Sequence, residues 1–194
     1  PTYIKLGQML SNWPDLVPEP LIKELEKLLD SVPPFDTAIA RQIIEDQLGK
    51  PTADTFIYFD EKPIGSASIG QVHRARLLTG EDVVVKVQRP GAKRQVVADL
   101  SLIREFVKLT GSYFVKAGII NPLEIVDTFS KSLQSELDYS IEARNLDQFR
   151  QLYANEQQLY IPKPYRDLTT RKVLTIEFVS GCKVSDVSTL KSWG

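Results

Sequence analysis

One cysteine and one histidine are all that 194 residues supply of those two side chains. A lone Cys182 can neither close an internal disulfide nor build a Cys-based zinc cluster, and it fits a reducing compartment. Charge of one sign is not in excess either: 24 basic against 25 acidic residues leave a net charge of −1. No global field therefore draws the chain to nucleic acid or to an anionic membrane, and no basic, aromatic-studded stripe suggests a nucleic-acid partner. No apolar run approaches the roughly 18 residues that would span a bilayer, and the first residues lack a signal-peptide pattern, so the sequence as given reads as soluble. It opens on "PTYIKLGQ" and stops at "LKSWG" without an initiator methionine, which leads us to expect a piece of a longer chain.

The length suits one sizeable domain with a real core. Apolar periodicity predicts a helix end from Thr2 to about Leu10, broken by Pro14, Pro18 and Pro20. Helical spacing returns at Leu21, Ile22, Leu25, Leu28 and Leu29, and again at Ile39, Ile43, Ile44 and Leu48. Gly49 and Pro51 close this helical section. Three β-rich runs follow, "TFIYF", "GQVHRARL" and "DVVVKVQ", the last two joined by a "TGED" turn, as in an antiparallel meander. A helix is expected from about Ala92 to Phe114, and Asn121 with Pro122 starts a second, long one reaching about Ala154. "LYIPKPY" and "KVLTIEFV" read as two more strands, followed by a short helix. The order of helices, strands, helices and strands gives an α+β fold.

Chemistry concentrates in residues 63–91. The period of two in "DVVVKVQ" places Val84, Lys86 and Gln88 on one sheet face and Val83, Val85 and Val87 on the other. A lysine on a covered face needs an anion, because burying it unpaired costs several kcal/mol. The plainer alternative is an edge strand whose lysine reaches water. The preceding loop bears on the choice. Gly65, Ala67, Gly70 and Val72 fit a Gly-x-Ala-x-x-Gly-x-Val frame, and Lys86 follows Val72 by fourteen positions across one turn. A protein kinase sets its Gly-x-Gly-x-x-Gly-x-Val loop over the ATP phosphates and its phosphate-pairing lysine on the next strand but one. The long helix offers Glu136, Asp138 and Glu142 as counter-charges, any of which could equally be a solvated helix acid.

Four segments in order, "KLGQ", "SASIGQVHRA", "VVVKVQRPG" and "ELDYSIEARN", resemble the UbiB/AarF family of atypical protein-kinase-like proteins over essentially the whole chain. The resemblance implies a kinase-like small lobe at residues 51–180, with an antiparallel sheet, a long αC-like helix and an inserted helix. A family-specific helical extension would occupy 1–50, and the hinge with the start of a large lobe 181–194. It implies Lys86 as the phosphate-contacting lysine and Glu142 as its helix partner. Gly65, Ser66, Ala67, Ser68, Gly70 and Val72 would form the nucleotide loop, with the carbonyl of Glu177 and the amide of Val179 as the adenine-holding hinge. Lys5, Gly7 and Gln8 would belong to the extension over the site, engaged by Glu136 and Asp138. On a regular helix those two acids stand roughly 160° apart, so a single direct contact to Lys5 is expected. The family loop carries a run of alanines where this chain has Gly65 and Ser66.

The implied cofactor is ATP or ADP, with Mg2+ only once a large lobe is present, and no metal site is expected in this chain. The sole histidine, His73, sits inside a strand and reads as a packed or surface strand residue rather than an acid or base, and no Asp-Phe-Gly occurs. The catalytic loop and metal-binding aspartate of a kinase are therefore absent from the sequence as given. Two functions follow from the resemblance. One is the nucleotide-binding part of a phosphotransferase or ATPase linked to isoprenoid quinone or lipid metabolism. The other is a non-catalytic, pseudokinase-like scaffold that binds a lipid or a protein partner. Under either, the resemblance implies an isoprenoid lipid or a membrane-associated protein as partner besides the nucleotide, and a parent peripheral to a membrane of a bacterium or bacterium-derived organelle.

Overall fold

The computed structural model describes residues 32–116, 121–182 and 186–193, together with Thr2, Lys5 and Val184. Thr2 and Lys5 are helical; the helix expected over 21–29, and Gly7 and Gln8, lie outside the described residues. Helix α1 spans Thr37–Leu48, with Asp36 as its N-cap accepting from Ala38 N. Strands β1 (Phe56–Phe59), β2 (Gly65–Ser66), β3 (Gly70–Leu77) and β4 (Asp82–Gln88) follow. Then come α2 (Ala92–Lys116), α3 (Pro122–Glu136), α4 (Tyr139–Leu152), β5 (Val173–Glu177) and α5 (Val187–Trp193).

The sheet is antiparallel, in the order β1-β3-β4-β5, with β2 on the same edge of β3 as β1. Strand alternation sorts β4 as its sequence predicts: Val83, Val85 and Val87 are fully buried against Ala40 and Ile44 of α1. Each such valine contributes about 1.5–3 kcal/mol of burial. Gly80, at φ 101°, makes the tight β3–β4 turn possible. The opposite face carries Lys86, and there Tyr139 and Ala143 of α4 pack on Leu174 and Ile176 of β5. A third cluster joins α2 and α3 through Val96, Leu100, Phe129 and Leu133.

Two expected elements are corrected. The helix foreseen from 121 to about 154 is broken between α3 and α4. Asp138 leaves helical geometry at φ −123° and ψ 93° and accepts from Ser140 N at 3.1 Å and Ser140 Oγ at 2.5 Å. An aspartate two residues before a serine is a strong N-cap, and it outcompetes continuation of the helix. The break is held from β4, where Gln88 Nε2 donates to Leu137 O at 2.9 Å. "LYIPKPY" does not form a strand: with Pro162 and Pro164 in it, only the isolated Pro164–Ile176 bridge survives.

His73 is fully buried on the α1 side of β3. Its Nδ1 lies 2.8 Å from Asp60 O and its Nε2 2.9 Å from Gln71 Nε2, and the ring stacks on Phe59. Since Asp60 O can only accept and Gln71 Nε2 can only donate, the ring is neutral, with its proton on Nδ1. Burial pushes its pKa below the ordinary 6.5, against the pull of Asp60. The unfolded chain therefore binds this proton before the folded one does. Stability is complete above the ordinary histidine range and falls as the pH drops through it. Urea midpoints measured from pH 7.5 to 5 should decline, and His73→Gln should flatten that slope.

Candidate nucleotide site

The loop between β2 and β3 is anchored at both ends. Gly65 and Ser66 pair with Val72 and Gln71, and Ala67 N donates to Gly70 O at 2.7 Å, closing a tight hairpin. At its tip Ile69 is buried in the cluster between α2 and α3, so an apolar side chain ties the loop to the helices. Arg89, just past β4, fastens it from the side: Nη2 donates to Ala67 O and Ser66 Oγ, both at 3.3 Å, and to Pro33 O at 2.9 Å. Gln71 reinforces the tie by accepting from Phe35 N at 2.9 Å and donating to Phe35 O at 3.2 Å. The segment leading in from the N-terminal region is thus pinned to the loop.

Lys86 is the cross-strand partner of Val72 on one side and of Leu174 on the other. Because β4 lies inside the sheet, the edge-strand reading of this lysine fails. Lys86 Nζ donates to Glu142 Oε2 at 2.7 Å, across the sheet face to α4. Glu142 reaches it from the first turn of α4, which Asp138 starts and Gln88 holds in place. The sequence spacing alone could not choose among the three acids; the helix break chooses. Glu136, at the end of α3, instead pairs with Lys5 at 2.7 Å. Asp138 is spent on its cap and on Arg171, whose Nε stands 3.3 Å away, so one acid of the pair meets Lys5 and the other does not.

These groups surround one open cavity of about 490 Å³. The loop 65–70, Val72, Lys86 and Glu142 form one part of its wall, and Lys5 with Glu136 another. Its size falls in the range of small-molecule sites. Glu177 and Val179 are not among its lining residues. Glu177 ends β5, its carboxylate accepting from Tyr160 Oη at 2.5 Å and from Lys163 N at 3.1 Å, which holds its pKa low. Phe178 N donates to Asp82 O, so by strand alternation the backbone N–H and C=O of Glu177 face away from β4. A second hollow, of about 660 Å³, lies beside the start of α2 between Arg89, Lys93, Arg94 and Lys172, and includes none of the loop 65–70 or Lys86. Among the described residues no group of three or more His, Cys, Asp or Glu gathers as a metal site.

Three contributors escaped the sequence reading: Gln88, Arg89 and Tyr139. Gln88 shares its face with Lys86, and Tyr139 precedes Glu142 by three, so period counting alone could have placed both beside the lysine. Arg89 carries no periodic signal.

The family model described as ABC1 atypical kinase-like domain matches residues 27–194. Two proteins named "Probable protein kinase UbiB" are similar over 98% of this chain, at 40% identity in Pseudomonas fluorescens and 43% in Pseudomonas putida. The chain spans about a third of their length, 36% and 35% respectively. Among solved structures, the complex of Rv3197 with erythromycin from Mycobacterium tuberculosis is similar at 30% identity and a TM-score of 0.65, covering 93% of this chain and 45% of that one.

Proposed function

The chain belongs to the ABC1 atypical kinase-like family, and from that premise we propose that it is the phosphate-gripping part of a nucleotide cleft, binding ATP or ADP between the loop 65–70 and Lys86. One observation carries the reading. Lys86 has three N–H donors, and among the described residues Glu142 takes only one of them, leaving the others for an anion in the cavity beside the loop. The loop supplies a tight hairpin turn rather than bulky side chains, as close approach of a phosphate requires. In the longer protein this site serves a phosphotransferase or ATPase, and we place its action in isoprenoid quinone or lipid metabolism. Adenine would rest on the Glu177–Val179 backbone, beyond the cavity wall.

An adenosine bearing a lysine-reactive sulfonyl fluoride tests the placement. The Lys86 amine should displace fluoride and be the main modified lysine, and excess ATP should suppress the label. Label spread over surface lysines and indifferent to ATP would refute the assignment.

A further inference from the structure

Glu142 is not the only group against Lys86. The ring of Tyr139 lies under the ammonium, with Nζ 4.6 Å from the ring centroid. Tyr139 opens α4 three residues before Glu142, so the two side chains leave neighbouring positions on one helix face and meet the lysine together. The far end of the phenol reaches the loop: a Cβ built on Gly70 would stand 2.4 Å from Tyr139 Oη. One rigid side chain therefore touches the strand lysine with its face and the last glycine of the loop with its tip.

Tyr139 is 1% exposed, and its hydroxyl has no hydrogen-bond partner among the described residues. Burial, and then the carboxylates of Glu142 and Glu136, keep that hydroxyl protonated. A buried unpaired hydroxyl is costly, and phenylalanine would fill the same core without the cost.

We propose that Tyr139 is a positioning residue of the phosphate site, its ring seating Lys86 and its hydroxyl stopping Gly70, so that one phenol sets the gap between lysine and loop. The proposal rests on the nucleotide reading for its purpose, though not for its geometry. Its consequence is that Lys86 has two anchors. Removing Glu142 alone leaves the lysine seated, because the face of an aromatic ring attracts a cation independently of the carboxylate.

The test uses the full chain and the variants Y139F, Y139L, E142Q and Y139L/E142Q. The first readout is the NMR signal of the Lys86 ε-methylene, which a ring face shifts upfield of other lysines. That shift should persist in Y139F and E142Q and vanish in Y139L. The second is ADP affinity, which should fall roughly tenfold in Y139L, the scale of a partly desolvated cation–π contact. It should fall less in E142Q, and the double variant should lose more than the two single losses combined. Y139F keeps the ring but removes the hydroxyl that stops Gly70, so it should keep the upfield signal and lose part of the ADP affinity, less than Y139L loses. A wild-type Lys86 signal at the ordinary lysine position would overturn the proposal, as would a Y139L variant that melts earlier yet binds ADP as well as wild type. If the upfield signal is present and vanishes in Y139L while the wild type binds no ADP, the nucleotide reading falls and the placement of Lys86 by Tyr139 stands.

Discussion

Gly70→Ala should destabilise the chain by about 1–3 kcal/mol, as overpacking of a close-packed site does, and should push the loop away from Lys86. The added methyl would meet Tyr139 Oη at 2.4 Å and Val87 O at 2.7 Å. Neither neighbour can yield easily. Val87 O belongs to the interior strand β4, and Tyr139 is held in the core by Ala143 and Leu174. Combining G70A with Y139F should recover part of the loss, since it removes one obstacle and leaves the backbone one. Gly65→Ala is the control: its Cβ would find nothing within 4 Å, so it should fold as wild type does. Urea unfolding reads all three variants. G70A as stable as wild type would mean that the loop is not seated where we describe it.

The second large effect separates binding from folding. Lys86 and Glu142 keep 31% and 45% of their side-chain surface exposed. An ion pair so open to water contributes little to stability, so Lys86→Ala should leave the melting temperature nearly unchanged. Nucleotide affinity should behave otherwise. Loss of a charge-assisted hydrogen bond to phosphate, worth about 1.5–3 kcal/mol, weakens binding by roughly ten- to a hundredfold. Titration with a fluorescent ADP analogue measures the loss. An affinity unchanged in K86A would remove the lysine from the site.

What could be read from the sequence follows the periodic signals. Alternation in "DVVVKVQ" placed Lys86 and the three valines on opposite faces, because a strand between two packed layers allows no other assignment. The hairpin through "TGED" and the helix at Ile39–Leu48 were equally plain. The break at Leu137–Asp138 was not, since α3 and α4 both carry apolar residues at helical spacing and only the Asp138–Ser140 cap interrupts them. That missed cap is also why the choice among Glu136, Asp138 and Glu142 stayed open until the resemblance supplied one. The contacts of Arg89 to Pro33, Ser66 and Ala67 span 56, 23 and 22 residues of chain, and no local pattern encodes such contacts. Tyr160 and Lys163 are held by the Glu177 side chain, which satisfies Lys163 N without a strand ladder. Strand propensity in "LYIPKPY" therefore gave the wrong element.

The site itself is tested most directly by following backbone amide signals of the chain during titration with ADP. Binding at the cavity predicts the largest, saturable shifts at residues 65–70 and at Lys86, with the signals of Lys93, Arg94 and Lys172 left in place. Shifts concentrated around those three basic residues, in the hollow beside α2, with the loop unmoved, would contradict the account.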